Sequence, residues 1–149
     1  MPSKLSLPLR RRLEQAARAA AQGSYSPYSK FRVGAAVLAG SGKIYAGSNV
    51  ENASYGLCNC AERTAIFTAA AQGERTLRCV VVYTPTRAPT MPCGACRQVL
   101  NEFGPQATVL AICDSDECIE TTLDYLLPDA FGPENLLKDS PASSSRKAR

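Results

Sequence analysis

The stretch CAERTAIFTAAAQGERTLRCVVVY, Cys60 to Tyr83, decides the fold. Ala65, Ile66, Ala69 and Ala70 recur at helical spacing, which predicts a helix from Cys60 or Ala61 to Gln72 with Gly73 closing it. Cys79 to Tyr83 is short and continuously apolar, the pattern of a strand buried on both faces. A helix feeding a strand covered on two sides belongs to a layered α/β domain.

Working outward, the same alternation continues. A proline-bearing loop leads to a predicted helix over Gly94–Phe103, ended by Gly104-Pro105, and then to a second buried strand over Ala107–Cys113. Asp114 to Glu117 reads as a turn, Cys118–Thr122 as a last strand, and Leu123–Leu127 as a short helical piece before Pro128. Upstream, residues 8–22 predict a helix, with Pro8 in its first turn and Gly23 after its end. Phe31–Leu38 and Lys43–Asn49, joined through Gly40-Ser41-Gly42, predict a hairpin. The order implies one α/β domain with a mixed sheet over residues 8–137. Residues 1–7 are read as an N-terminal extension, and the Ser-, Lys- and Arg-rich residues 138–149 as a disordered basic tail.

Composition narrows the chemistry. The 149 residues contain no histidine, which excludes Ser-His-Asp and Cys-His catalysis and every histidine-bearing zinc site. A general acid or base must come from Asp, Glu, Lys, Tyr or Cys. Seven cysteines, with no secretory signal pattern, point to metal ligands or catalysts in a reducing compartment, and a cytoplasmic location is expected. No run of about 18 apolar residues encodes a membrane span. The net charge of +4 resides at the ends. Residues 1–18 carry +4 and residues 138–149 carry +3, leaving −3 on the body between them. A protein that tracks phosphates would carry its basic residues on the folded face, so no nucleic-acid partner is expected. The Arg10-Arg11-Arg12 run reads as the solvated face of the first helix.

Cys60 and Glu62, two apart, are joined some thirty residues later by Pro92-Cys93-Gly94-Ala95-Cys96. Cys93-x-x-Cys96 alone fits redox pairs, structural zinc and iron–sulfur sites alike. A third thiolate, Cys60, shifts the balance, because three protein ligands leave the fourth tetrahedral position of zinc open for water. Zinc in such a site makes water acidic near neutral pH. Cys58 leaves one alternative, a closed four-thiolate structural site; otherwise Cys58, Cys79, Cys113 and Cys118 read as small buried apolar residues.

Cys60-x-Glu62 followed by Pro92-Cys93-x-x-Cys96 matches the zinc nucleoside deaminase signature. With Phe31-Arg32-Val33-Gly34-Ala35-Ala36, Asn49-Val50-Glu51-Asn52-Ala53, Tyr55, Arg97-Gln98, Leu126-Leu127-Pro128 and Phe131-Gly132-Pro133, the chain resembles the small homotetrameric zinc-dependent cytidine deaminases over residues 8–137. The resemblance implies a three-layer α/β/α domain with a roughly five-stranded mixed sheet. It implies hydrolytic deamination of free cytidine and deoxycytidine to uridine and deoxyuridine in pyrimidine salvage. It implies one Zn2+ per subunit, held by Cys60, Cys93 and Cys96, with Glu62 as proton shuttle. Asn49 and Glu51 are then the ribose contacts, and a carboxylate at Glu51 would repel a 3′-phosphate. Phe31 and Phe131 resemble pyrimidine-contacting aromatics, Phe131 reaching in from a neighbouring subunit. Ala53 and Tyr55 resemble subunit-interface positions near the ribose 5′ end.

Zinc with three thiolates carries net −1, which should make its water less acidic. The helix starts at Cys60 and Cys93, together with Arg63, are expected to offset that charge.

Overall fold

Odd and even residues of the central strands part company, and that parity builds the layers. The computed structural model describes residues 5–137, so the expectations for residues 1–4 and for the tail 138–149 fall outside the described residues. Five strands, β1 (Gly34–Ala39), β2 (Ile44–Ser48), β3 (Leu77–Tyr83), β4 (Thr108–Ile112) and β5 (Cys118–Thr122), form one sheet in the order β2-β1-β3-β4-β5. Only β3 and β4 are parallel neighbours; the other pairs are antiparallel. The sheet is mixed, as expected.

On one face, Ala36, Leu38, Cys79, Val81, Tyr83, Leu110 and Ile112 meet Leu13, Ala17 and Ala21 of α1 (Leu7–Ala21). On the other, Ala35, Val37, Val80, Val82 and Val109 meet Ala61, Ala65, Ile66 and Ala69 of α2 (Ala61–Ala71) and Leu100 of α3 (Gly94–Phe103). Successive strand residues alternate between the two cores because side chains alternate across a strand. Leu123 of the short α4 (Leu123–Leu126) joins the second core. The result is three layers, α/β/α.

Small residues let both helix layers sit close. A Cβ at Gly34 would collide with the backbone of Ala17 and Ala21, and one at Gly47 would come within 2.5 Å of the Ala65 nitrogen. Gly34 therefore seats α1 and Gly47 seats α2, on opposite sides. Gly73 takes the left-handed φ of +92°, which ends α2 as its sequence predicts.

Three expectations are revised. Arg10 is not merely solvated: its guanidinium bonds Glu14 at 2.9 Å and Glu120 of β5 at 2.6 Å, while Arg11 and Arg12 are exposed. Cys118 is exposed rather than buried, because β5 is an edge strand with polar alternation. Cys58 is half-buried, at a pocket wall. Cys79 and Cys113 are buried as expected.

Candidate active site

β2 and β3 run in the same direction on either side of β1, and each hands over to a helix at the same end of the sheet. Cys60 is the N-cap of α2 and Cys93 the N-cap of α3, so both helix N-termini face one place. Such a crevice beyond the strand ends is where open α/β sheets bind ligands. Cys96, one turn into α3, is fully buried below them.

The three Sγ atoms of Cys60, Cys93 and Cys96 lie within 4.8 Å of one another, and those of Cys60 and Cys93 are 3.9 Å apart. Tetrahedral zinc at about 2.3 Å from each sulfur requires S···S separations of about 3.8 Å, so the cluster fits the metal closely. Its electrostatics point the same way. The Cys60 thiol is pulled down to about 5, by hydrogen bonding with Cys96 and by Arg63. Cys96 is pushed up by that same bond, by burial and by Glu62. Three adjacent sulfurs cannot all ionise without a cation among them. Cys58 stands outside the cluster, its sulfur accepting from the Asn52 N–H at 3.3 Å. A four-thiolate closed site is therefore not built.

Arg63 donates to the Cys60 sulfur at 3.4 Å, where the charge-compensation reading places it. Its Nε is buried with no partner among the described residues. Glu62, in the first turn of α2, is 4 % exposed, and burial pushes its carboxyl up to about 7. A buried carboxyl near neutrality can both take and return a proton at cellular pH.

Cys60, Cys93 and Glu62 open onto a cavity of about 250 Å³ whose far wall includes Phe31, Asn49 and Glu51. Glu51 accepts from the N–H groups of Tyr28 and Ser29 at 3.0 and 3.1 Å. Hydrogen bonding from Ser29, with help from Tyr28 and Lys30, holds its carboxyl below the usual range. Asn49 is more constrained than its sequence suggests. Its Oδ1 accepts from Val33 N–H at 2.9 Å and from the Ser24 hydroxyl, and its Nδ2 donates to the Phe31 carbonyl at 2.7 Å. One amide N–H remains for a ligand.

The other candidates stand apart. Ala53 is exposed, and Tyr55 is 71 % exposed, its ring 5.6 Å from Tyr28 beside an adjoining cavity that shares Ser29, Glu51 and Cys58 with the site cavity. Phe131 is 58 % exposed and lines a different cavity, with Gln98 and Glu102, so it does not reach this chain's own site. Residues the sequence did not single out also form the wall, among them Thr90 and Met91 of the proline-bearing loop. That loop is braced by Arg97, which donates to the carbonyls of Pro92 at 2.8 Å and Leu126 at 3.2 Å. The Arg97 at the end of the Cys93–Arg97 run was the only available signal for that brace.

The family model for the cytidine and deoxycytidylate deaminase zinc-binding region matches residues 9–112, most of the domain. A cytidine deaminase from Halalkalibacterium halodurans is 48% identical over 118 residues, covering 78% of this chain and 89% of its own. Among solved structures, a cytidine deaminase from Burkholderia pseudomallei superimposes with a TM-score of 0.78 at 49% identity, covering 81% of this chain and 98% of that one. That from Mycobacterium tuberculosis gives 0.72 at 41% identity, with 83% and 97% covered.

Proposed function

Because the chain belongs to the cytidine and deoxycytidylate deaminase family, we propose that it hydrolyses free cytidine and deoxycytidine to the uracil nucleosides with release of ammonia, a step of pyrimidine salvage. The observation that carries this reading is the convergence of three cysteine sulfurs beside a buried glutamate in one cavity.

One zinc per subunit, held by Cys60, Cys93 and Cys96, supplies a Lewis acid that lowers the pKa of water. The remaining work falls to this chain's side chains. Glu62 takes the proton that water loses as its oxygen attacks C4 and passes it to N3; it then takes the proton of the new C4 hydroxyl, which becomes the carbonyl, and delivers it to the departing amine. Water adds, ammonia leaves, and the carboxylate returns to its starting state. Arg63 and the N-termini of α2 and α3 offset the negative charge of three thiolates. Glu51, held ionised, accepts from a ribose hydroxyl and repels a phosphate in its place, and the spare Asn49 N–H donates nearby. Phe31, on the cavity wall, contacts the pyrimidine in this reading.

In a homotetramer Phe131 completes the site from a neighbouring subunit, and Ala53 and Tyr55 sit at the subunit interface near the ribose 5′ end. Support comes from their exposure, and from exposed Leu57 and Phe67, a set of large apolar side chains a lone subunit leaves in water. A cytoplasmic setting suits seven free cysteines, and no helix among the described residues is long and apolar enough to cross a membrane.

Metal analysis with an ultraviolet assay tests the proposal. The expected result is one zinc per chain and loss of cytidine absorbance as uridine appears. One tightly bound zinc with cytidine unchanged over hours would overturn it.

A further inference from the structure

The chain just past α1 is tied to the residues that follow β2. Ser24 N–H donates to the Ala21 carbonyl at 3.2 Å, Tyr25 N–H to the Asn49 carbonyl at 3.0 Å, and Glu51 N–H to the Tyr25 carbonyl at 2.8 Å. Tyr25 and Val50 thereby form a parallel bridge, and backbone bonds alone set Ser24 beside Asn49. The Ser24 hydroxyl lies 2.5 Å from Asn49 Oδ1 and 3.1 Å from the Ser26 hydroxyl, and its single proton serves only one of them. The carboxamide oxygen is nearer and has no proton of its own to offer, so the Ser24 proton goes there.

Asn49 is consequently a one-way group. Oδ1 accepts from Ser24 and from Val33 N–H at 2.9 Å, which fills both lone pairs, and Nδ2 gives one proton to the Phe31 carbonyl at 2.7 Å. The residue is 9 % exposed, on the wall of the site cavity. It offers a ligand one N–H and no acceptor. Two donors on its oxygen also polarise the amide, which strengthens that N–H. Glu51 on the same wall is the complement, a carboxylate that accepts and does not donate. A hydroxyl group, which donates and accepts at once, satisfies both. We propose that Ser24 is a positioning residue for the substrate: by filling the Asn49 oxygen, it leaves the amide as a pure donor to a ribose hydroxyl. The inference rests on the nucleoside reading above, with the ribose 3′-hydroxyl as the group between Asn49 and Glu51. Val33 N–H still holds the amide when Ser24 is replaced, so the effect is on affinity and not on the fold.

Steady-state kinetics of the parent and Ser24→Ala with cytidine and 3′-deoxycytidine test this. Ser24→Ala should raise KM for cytidine about 3- to 10-fold, the size of one lost hydrogen bond, with kcat and zinc content as in the parent. For 3′-deoxycytidine, which lacks the hydroxyl, the two proteins should have equal KM. An unchanged KM for cytidine overturns the proposal. So does an equal rise for both nucleosides, which marks a general loosening of the wall. Titration calorimetry with uridine and 3′-deoxyuridine reads the same contact without turnover, and the same pattern is expected in Kd. That pattern in a protein inactive on cytidine would sink the deaminase reading and leave this inference standing. A parent that binds no uridine overturns both.

Discussion

Cys79 and Cys60 are the same residue type on two sides of one sheet, and their surroundings give them opposite characters. Cys79 points from β3 into the α1 side, where burial among aliphatic side chains pushes its thiol up to about 12. Cys60 caps α2 at the other side, where hydrogen bonding with Cys96 and the Arg63 guanidinium bring it down to about 5. The α1 side is a plain core, with one helix lying flat over the strands. The α2/α3 side is a core for most of its length and becomes a site only at the edge where two helices begin. Chemistry here depends on helix ends and their neighbours rather than on cysteine itself.

If that contrast is right, substitutions on the two sides should separate binding from stability. The largest effect is expected for Cys96→Ala: zinc falls from one per chain to near zero by metal analysis, and cytidine turnover drops to assay background. On the opposite side, Leu13→Ala leaves a cavity under α1 and should cost about 2–5 kcal/mol in urea unfolding. Below its unfolding transition, its zinc content and kcat/KM should match the parent. Loss of zinc in Leu13→Ala would break the distinction between the sides. Arg63→Gln sharpens it: zinc binding should weaken by about 10- to 100-fold in chelator competition, with a shifted pH–rate profile. If both stay unchanged, the charge-compensation role is wrong. Glu74→Gln should have the smallest effect. Glu74 ties α2's exit to the hairpin through the Ser41 hydroxyl at 2.6 Å and the Tyr45 hydroxyl at 3.1 Å, and those bonds hold its carboxyl below the usual value. A lowered folded-state pKa stabilises above the unfolded pKa, about 4.3, and loses that contribution as pH falls through the folded value. A slight drop in Tm at pH 7 should therefore disappear in acid, with turnover untouched.

Much of this was legible from local pattern. The Gly94–Phe103 helix and the Cys118–Thr122 strand sit at their expected bounds, because Gly104-Pro105 and the acidic turn punctuate them. β3 starts two residues earlier than its apolar run, at Leu77, since pairing with Ala39 carries it past a charged Arg78. Spacing pointed to a three-cysteine cluster, which the structure brings together, while the role of Glu62 came from the family resemblance. What stayed hidden depends on tertiary placement. Cys118 reads as apolar, but only the sheet order puts it on an exposed edge. Asn49 reads as a ligand contact, but most of its amide braces residues 24–33. Phe131 lies outside the cavity of its own chain, an expectation that came from the family resemblance and from no intrachain pattern.

The central claim is a division of labour in which three thiolates hold the metal and Glu62 moves the protons. Zinc stoichiometry and cytidine turnover measured on the same preparation of Glu62→Gln test it most directly. The predicted result is one zinc per chain with kcat reduced by about 10²–10⁴-fold. Turnover at the parent rate with zinc retained would contradict it.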